Sequence, residues 1–254
     1  PGPAPPARPG IPVKLPETDR PGRERGKMQR LRIRFRRGLA VKFVSHLDIM
    51  RLWQRALIRA GMPLAYSEGF NPRPRLSLAA PLAVGVTSEA ELMDITLART
   101  ASPHFFTAAV NQQLPPSIEI LQVHQVALTI PSLQSQVRYA EYEVGLEAEK
   151  GRREVTAALA SLLALKHLPW QHQRDTGPHH YDLRALIDDL WLIDWRNGHG
   201  TIGMRLRCDS GGSGRPEQVT AALGFARRPE SLHRTRLILG PSLNNKETTS
   251  TDQR

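Results

Sequence analysis

A single cysteine, Cys208, stands in 254 residues. That scarcity excludes an intramolecular disulfide framework, a zinc site built from several thiolates, and an iron–sulfur cluster held by the chain's own cysteines. Nor does any apolar run approach the roughly 18–20 residues that a membrane-spanning helix requires. The proline-rich N-terminus lacks the apolar stretch of a secretory signal, so a reducing cytoplasm is the expected setting. Hydrophobic residues at 40% and a mean hydropathy of −0.38 still provide enough apolar material for real cores.

Acidic residues are scarce in one place above all. The net charge is +11. Residues 30–80 carry 11 Lys/Arg against 2 acids, while residues 81–254 carry 18 against 19. The excess therefore lies in a segment that also reads as structured. A folded basic patch is the electrostatic footprint of a polyanion, usually nucleic acid; a solvated face without a ligand is the alternative.

Eight of the first 21 residues are proline, so residues 1–28 read as a disordered leader. The chain starts at Pro1, and Met28 stands two residues before the first strand, which places the expected start of the folded part near Met28. Residues 241–254 read as a disordered tail. Arg30 to Arg36 alternates strictly: Leu31, Ile33 and Phe35 share one face, and Arg30, Arg32, Arg34 and Arg36 the other. Ser45 and Asp48 have the spacing of a helix-start capping pair. The helix that follows buries Met50, Trp53, Leu57 and Ala60 and stops at Gly61, with Arg51, Arg55 and Arg59 as a separate basic stripe.

Strands over 75–82 and 92–97, a helix over 102–114 and a strand over 118–126 complete a βαββαβ order, the ferredoxin-like unit. A second cycle follows Pro131. It has strands at 137–146, 168–172, 183–187, 190–195, 201–207 and 233–239, and helices at 154–167 and 217–223. The expected fold class is α+β: two tandem ferredoxin-like domains, 29–130 and 131–240, each an antiparallel sheet with helices on one face. Such a sheet leaves its other face free for a ligand, with Arg30, Arg32, Arg34 and Arg36 on it.

The segment Gly61–Arg75 is stiffened by Pro63, Pro72 and Pro74, while Gly69 permits a backbone excursion closed to other residues. It presents Tyr66, Glu68, Phe70, Asn71, Arg73 and Arg75. An aromatic face, an amide and two guanidiniums suit single-stranded RNA, because arginine pairs with phosphate and stacks on bases. Packing of both rings into the domain is the competing reading.

The stretch Phe43-Val44-Ser45-His46-Leu47-Asp48, then Arg55-Ala56-Leu57, then Pro63 through Pro74 resembles the radical-SAM-linked protein family, a domain of unknown function. The strong match runs from about Arg30 to Ile95. Weaker echoes are Tyr181-Asp182-Leu183-Arg184 and His233-Arg234-Thr235. The resemblance implies a radical SAM protein as a partner, encoded beside this chain or fused to it. It implies no cofactor of the chain's own, since Cys-x-x-x-Cys-x-x-Cys is absent.

Ser45, His46 and Asp48 open one helix, whereas a catalytic triad converges from separate segments. His46 with Tyr66 or Glu68 is the remaining candidate for acid–base chemistry on RNA. His167, His172, His179 and His180 lack metal-ligand spacing, and Gly211–Gly214 lacks the Lys-Ser/Thr of a phosphate loop. No metal site is expected. The leading expectation is an accessory protein that binds tRNA or rRNA through Arg32, Arg34, Arg51, Arg55, Tyr66, Phe70, Asn71, Arg73 and Arg75. A protein adaptor without RNA contact and a metal-independent RNA endonuclease are the alternatives.

Overall fold

The computed structural model describes residues 27–174 and 177–240; the leader and tail expected at 1–28 and 241–254 lie almost wholly outside them. The first half runs β1 (Gln29–Arg37), α1 (His46–Arg59), β2 (Leu76–Leu78), β3 (Thr87–Leu97), α2 (Pro103–Asn111) and β4 (Ile118–Val126). Its strands lie in the order β4, β1, β3, β2, all antiparallel. The alternation in β1 sends Leu31, Ile33 and Phe35 into a core beneath the two helices, and Trp53 of α1 meets Phe35 edge-on at 4.8 Å. Ile49 and Ala56 complete the buried stripe of α1 with Trp53 and Leu57, whereas the expected Met50 and Ala60 are only half-buried.

After α3 (Leu133–Gln136) the second half comprises β5 (Val137–Glu147), α4 (Arg152–Ala164), β6 (Pro169–Arg174), β7 (Gly177–Asp182), β8 (Ile187–Arg196), β9 (His199–Asp209), β10 (Gly212–Ser213), α5 (Pro216–Ala222) and β11 (Ser231–Leu239). Without the β6–β7 hairpin and β10, this is βαββαβ again, with strands in the order β8, β9, β5, β11. The fold class is thus α+β with two ferredoxin-like units. The two sheets are fused: β11 pairs with β3 in parallel through His233–Thr87 and Arg234–Ser88, giving one nine-stranded sheet. Ala79, Ala80, Leu82 and Val86, from the first half, pack into the second core.

Some elements differ from their sequence expectations for identifiable reasons. The strand expected over 75–82 ends at Leu78, because Ala79–Leu82 turns away into the second core and gives the carbonyls of Ala80 and Pro81 to Arg234. β3 begins five residues earlier than expected, extended by its pairing with β11. At 183–187 a single 3-10 turn stands in place of a strand, and Gly212–Ser213 adds a short strand where a loop was expected.

The arginine face of β1 is the main correction. Arg30 and Arg32 both grip Asp94 on β3, and Arg30 also donates to the carbonyls of Ile130 (2.7 Å) and Pro131 (3.0 Å). The connection into α3 thus covers these two side chains; Arg32 is 7% exposed. Arg36 pairs with Glu119. Of the four, only Arg34 is exposed with no hydrogen-bond or ion-pair partner among the described residues. Among those residues no helix is long and apolar enough to cross a membrane.

Candidate nucleic-acid interface

The segment after α1 forms a hairpin-like extension off the edge of β3. Its backbone is tied at the base: Ala65 N–H donates to Thr96 (2.9 Å), Thr96 N–H to Arg75 (3.0 Å) and Arg75 N–H to Ala65 (2.8 Å). Further out, Ser67 N–H donates to Arg73 (2.8 Å), and Arg73 N–H to the Ser67 hydroxyl (3.0 Å). Gly69 turns the tip with φ +115°, where a side chain would be strained. These bonds and three prolines hold Phe70 wholly in solvent, at 106% of its reference exposure, with Tyr66 at 45%. Glu68, Asn71, Arg73 and Arg75 are exposed as well, and no carboxylate neutralises either arginine among the described residues. Neither ring is packed into the domain.

Register fixes which way the base of this hairpin points. Leu76 pairs with Ile95 on the helix-covered face, so Arg75 and Ser77 lie on the opposite face with Asp94 and Arg34. Arg30, Arg75, Ser77, Asp94 and Thr96 line a shallow groove there, of about 480 Å³.

The basic stripe on α1 lies elsewhere. Arg51, Arg55 and Arg59 border a groove of about 570 Å³ between α1 and the end of α2. Arg51 pairs with Asp48 (3.0 Å), and Arg59 donates to Gln113. The Ser45 hydroxyl, and then Arg51, hold the Asp48 carboxyl below its ordinary value, and Ser45 caps the helix as its spacing indicates. Because α1 covers the Leu31/Ile33/Phe35 side of the sheet, Arg51 and Arg55 are separated by the sheet from Arg34 and Arg75. The single cationic surface implied by the sequence is two surfaces, and buried Arg32 belongs to neither.

His46 sits half-buried at the first position of α1, and no hydrogen bond joins it to Tyr66 or Glu68 among the described residues. His167 faces Asp182 at 2.9 Å, and no group of metal-ligating side chains occurs among the described residues. The chain's strong local pattern did not reveal the exposed apolar side chains just before and at the start of α1. Leu39, Phe43 and Leu47 are 65–72% exposed. The signal was Leu47, off the buried stripe of its helix.

In the weaker echo at 181–184, Asp182 and Arg184 brace the fold. Asp182 accepts from the backbone of Leu168 (2.8 Å) and Arg184 (3.0 Å), and Arg184 holds the Leu163 carbonyl. The Leu168 N–H above all, then His167, lower the Asp182 carboxyl from its ordinary value. A lowered folded-state value means stability that is present above the unfolded value and lost as pH falls through the folded one. Asp182→Asn is therefore expected to flatten the acid limb of a melting-temperature profile across the carboxylate range, leaving the neutral region nearly unchanged in slope.

Fold and site together define a fused pair of ferredoxin-like units carrying a braced, cationic–aromatic hairpin on one unit. Residues 30–216 match the family described as "Uncharacterized protein conserved in bacteria (DUF2344)", and the chain belongs to that family. No curated protein matches. Among solved structures the chain is similar to one in a Cbf5-Nop10-Gar1 complex, with 10% identity, 82% of this chain and 48% of that chain covered, and a TM-score of 0.48. It is similar also to one in the archaeal box H/ACA sRNP Nop10-Cbf5 complex, with 10% identity, the same coverages and a TM-score of 0.42. This chain spans about half the length of those two. Likeness of that degree carries no functional conclusion.

Proposed function

We propose that this protein binds single-stranded RNA as an accessory to a radical SAM enzyme that modifies or processes tRNA or rRNA, with no radical chemistry of its own. The observation that carries the RNA reading is Phe70, held wholly in solvent by a hydrogen-bonded hairpin beside Asn71 and two unneutralised arginines. An exposed ring has no folding role there, and stacking on a base gives it one. Arg34, Arg73 and Arg75 take phosphates, and Tyr66 offers a second face. The link to a radical SAM partner rests on the family resemblance, and a lone cysteine leaves the cluster chemistry to that partner.

Salt dependence tests the phosphate contacts. Three arginines on a single strand predict a log–log slope of about −2, reduced by about 0.7 by each Arg→Gln change at 34, 73 or 75. Arg55→Gln, on the other side of the sheet, is expected to leave the slope unchanged. Binding that is absent, or indifferent to salt, discards the reading.

A second reading has its own observation. Leu39, Phe43 and Leu47 are exposed apolar side chains within nine residues of one another, with Lys42 over the Phe43 ring, and exposed apolar surface is what a protein-docking adaptor would require. Co-purification of a radical SAM enzyme that survives nuclease and high salt, and is lost on Phe43→Ser, favours it. The endonuclease alternative requires RNA cleavage that His46→Ala abolishes while binding is kept.

A further inference from the structure

Parts of three sequence features that the RNA reading leaves unused meet at one cleft: His172 and His179 of the histidine run, Gly211–Ser213 of the glycine loop, and Tyr181 and Asp182. The β6–β7 hairpin is inserted between α4 and β8, an addition to the ferredoxin-like plan. Between it and the β9–β10 turn lies a cleft of about 290 Å³, lined by His172, His179, Tyr181, Arg207, Ser213 and Arg215 among others. That is the small end of ligand pockets, which run on the order of 300–1,000 Å³. It is room for one nucleotide and not for a strand.

The cleft has a braced frame. Asp182 and Arg184 fasten the base of the hairpin to Leu168 and Leu163. Tyr181 donates its hydroxyl to Gln218 Oε1 at 2.6 Å, and its ring stacks with His179 at 5.5 Å and 27°. At the lip, the Gly211 N–H donates to Asp209. A Cβ at Gly212 would come within 2.7 Å of Leu186, so the absence of a side chain lets the β9–β10 turn lie close against the 3-10 turn that follows the hairpin.

The charges point to an anion. Arg207 is matched by Asp209 (2.9 Å), and the Asp182 carboxylate that borders the cleft is occupied by His167 and two backbone N–H groups. Among the described residues Arg215 has no carboxylate partner, and its guanidinium meets His172 Nε2 at 3.5 Å. A guanidinium without a carboxylate among the described residues, beside an imidazole and the Ser213 hydroxyl, suits a phosphate, and the His179–Tyr181 pair supplies a planar face for a base.

We propose that this cleft binds a single nucleotide, its phosphate at Arg215 and His172 and its base against His179 and Tyr181. The chemistry is that of a nucleoside 5′-phosphate, supplied either as a free mononucleotide or as the phosphorylated end of an RNA. The site lies on the second unit and does not depend on the Phe70 hairpin.

Calorimetric titration of the full chain with the four 5′-mononucleotides tests it, with inorganic phosphate and an uncharged nucleoside as reference ligands. At least one mononucleotide is expected to bind about tenfold or more tighter than either reference. Arg215→Glu and His179→Ala, both at exposed side chains, are each expected to weaken it about tenfold or more, with melting temperatures unchanged. Phe70→Ala is expected to leave it untouched, which separates this site from the hairpin. Displacement of the mononucleotide by a short 5′-phosphorylated RNA assigns the strand end as the source, and persistence assigns the free nucleotide. The proposal is overturned if neither mononucleotides nor phosphorylated RNA bind saturably. It is equally overturned if inorganic phosphate binds as tightly, or if both substitutions leave affinity unchanged.

Discussion

Replacing Arg234 with alanine is expected to lower the unfolding free energy by about 3–5 kcal/mol, the cost of stranding a buried charge without its partner. Arg234 is 0% exposed and Glu91, its partner, 2%. Its Nε donates to Glu91 Oε1 at 3.0 Å, its Nη1 to the Pro81 carbonyl at 3.2 Å, and its own carbonyl accepts from the Ser88 hydroxyl at 3.1 Å. Burial pushes the guanidinium down, but Glu91 first, together with Tyr142 and Cys208, more than offsets this, and the group is held above its ordinary value. It therefore stays charged, and so does the demand for its carboxylate. Because the pair bridges β3 and β11, its loss acts at the seam between the two units. Glu91→Ala is expected to cost a similar amount. An Arg234→Met, Glu91→Leu double change is expected to recover most of it, since an apolar pair leaves no charge uncompensated. Urea unfolding measures all three, and a single-variant loss under about 1 kcal/mol contradicts this account of the seam.

Phe70→Ala is expected to weaken single-stranded RNA binding by roughly 5- to 150-fold, the range that about 1–3 kcal/mol of base stacking implies. Stability is expected not to change, because the ring touches solvent and little else. This pairing of outcomes separates a contact residue from a structural one. Phe70→Trp keeps a π-face and is expected to retain binding, whereas Phe70→Leu keeps apolar bulk and loses it. Filter binding at a fixed low salt concentration, with melting curves on each variant, reads both effects.

Local pattern carried much of the fold. The strict alternation of β1, the Ser45 cap and the helix it opens are decided by near neighbours along the chain, and these elements stand where their spacing puts them, although Ile49 and Ala56 replace Met50 and Ala60 in the buried stripe of α1. The fusion of the two sheets was not legible, because it depends on a parallel contact between residues almost 150 positions apart. His233-Arg234-Thr235 was visible only as an echo of a family pattern. Nothing in its spacing indicates that Arg234 reaches a carboxylate on another strand. The Arg30–Arg36 alternation misled for the same reason: period two gives the face but not what covers it, and Asp94 with the 130–136 connection takes Arg30 and Arg32. The hairpin was legible in its stiffness, since prolines and Gly69 act on their own backbone. Its separation from Arg51 and Arg55 was not, because that depends on which side of the sheet α1 covers.

Ultraviolet crosslinking of bound RNA to the full-length chain, followed by mass spectrometry of the adducts, tests the hairpin most directly. Nucleotide adducts are expected on the peptide bearing Tyr66 and Phe70, and are expected to vanish at that peptide in the Phe70→Ala, Tyr66→Ala double variant. Adducts confined to other peptides, or RNA retained with no adduct anywhere in 66–75, contradict the assignment of this loop as the RNA-contacting surface.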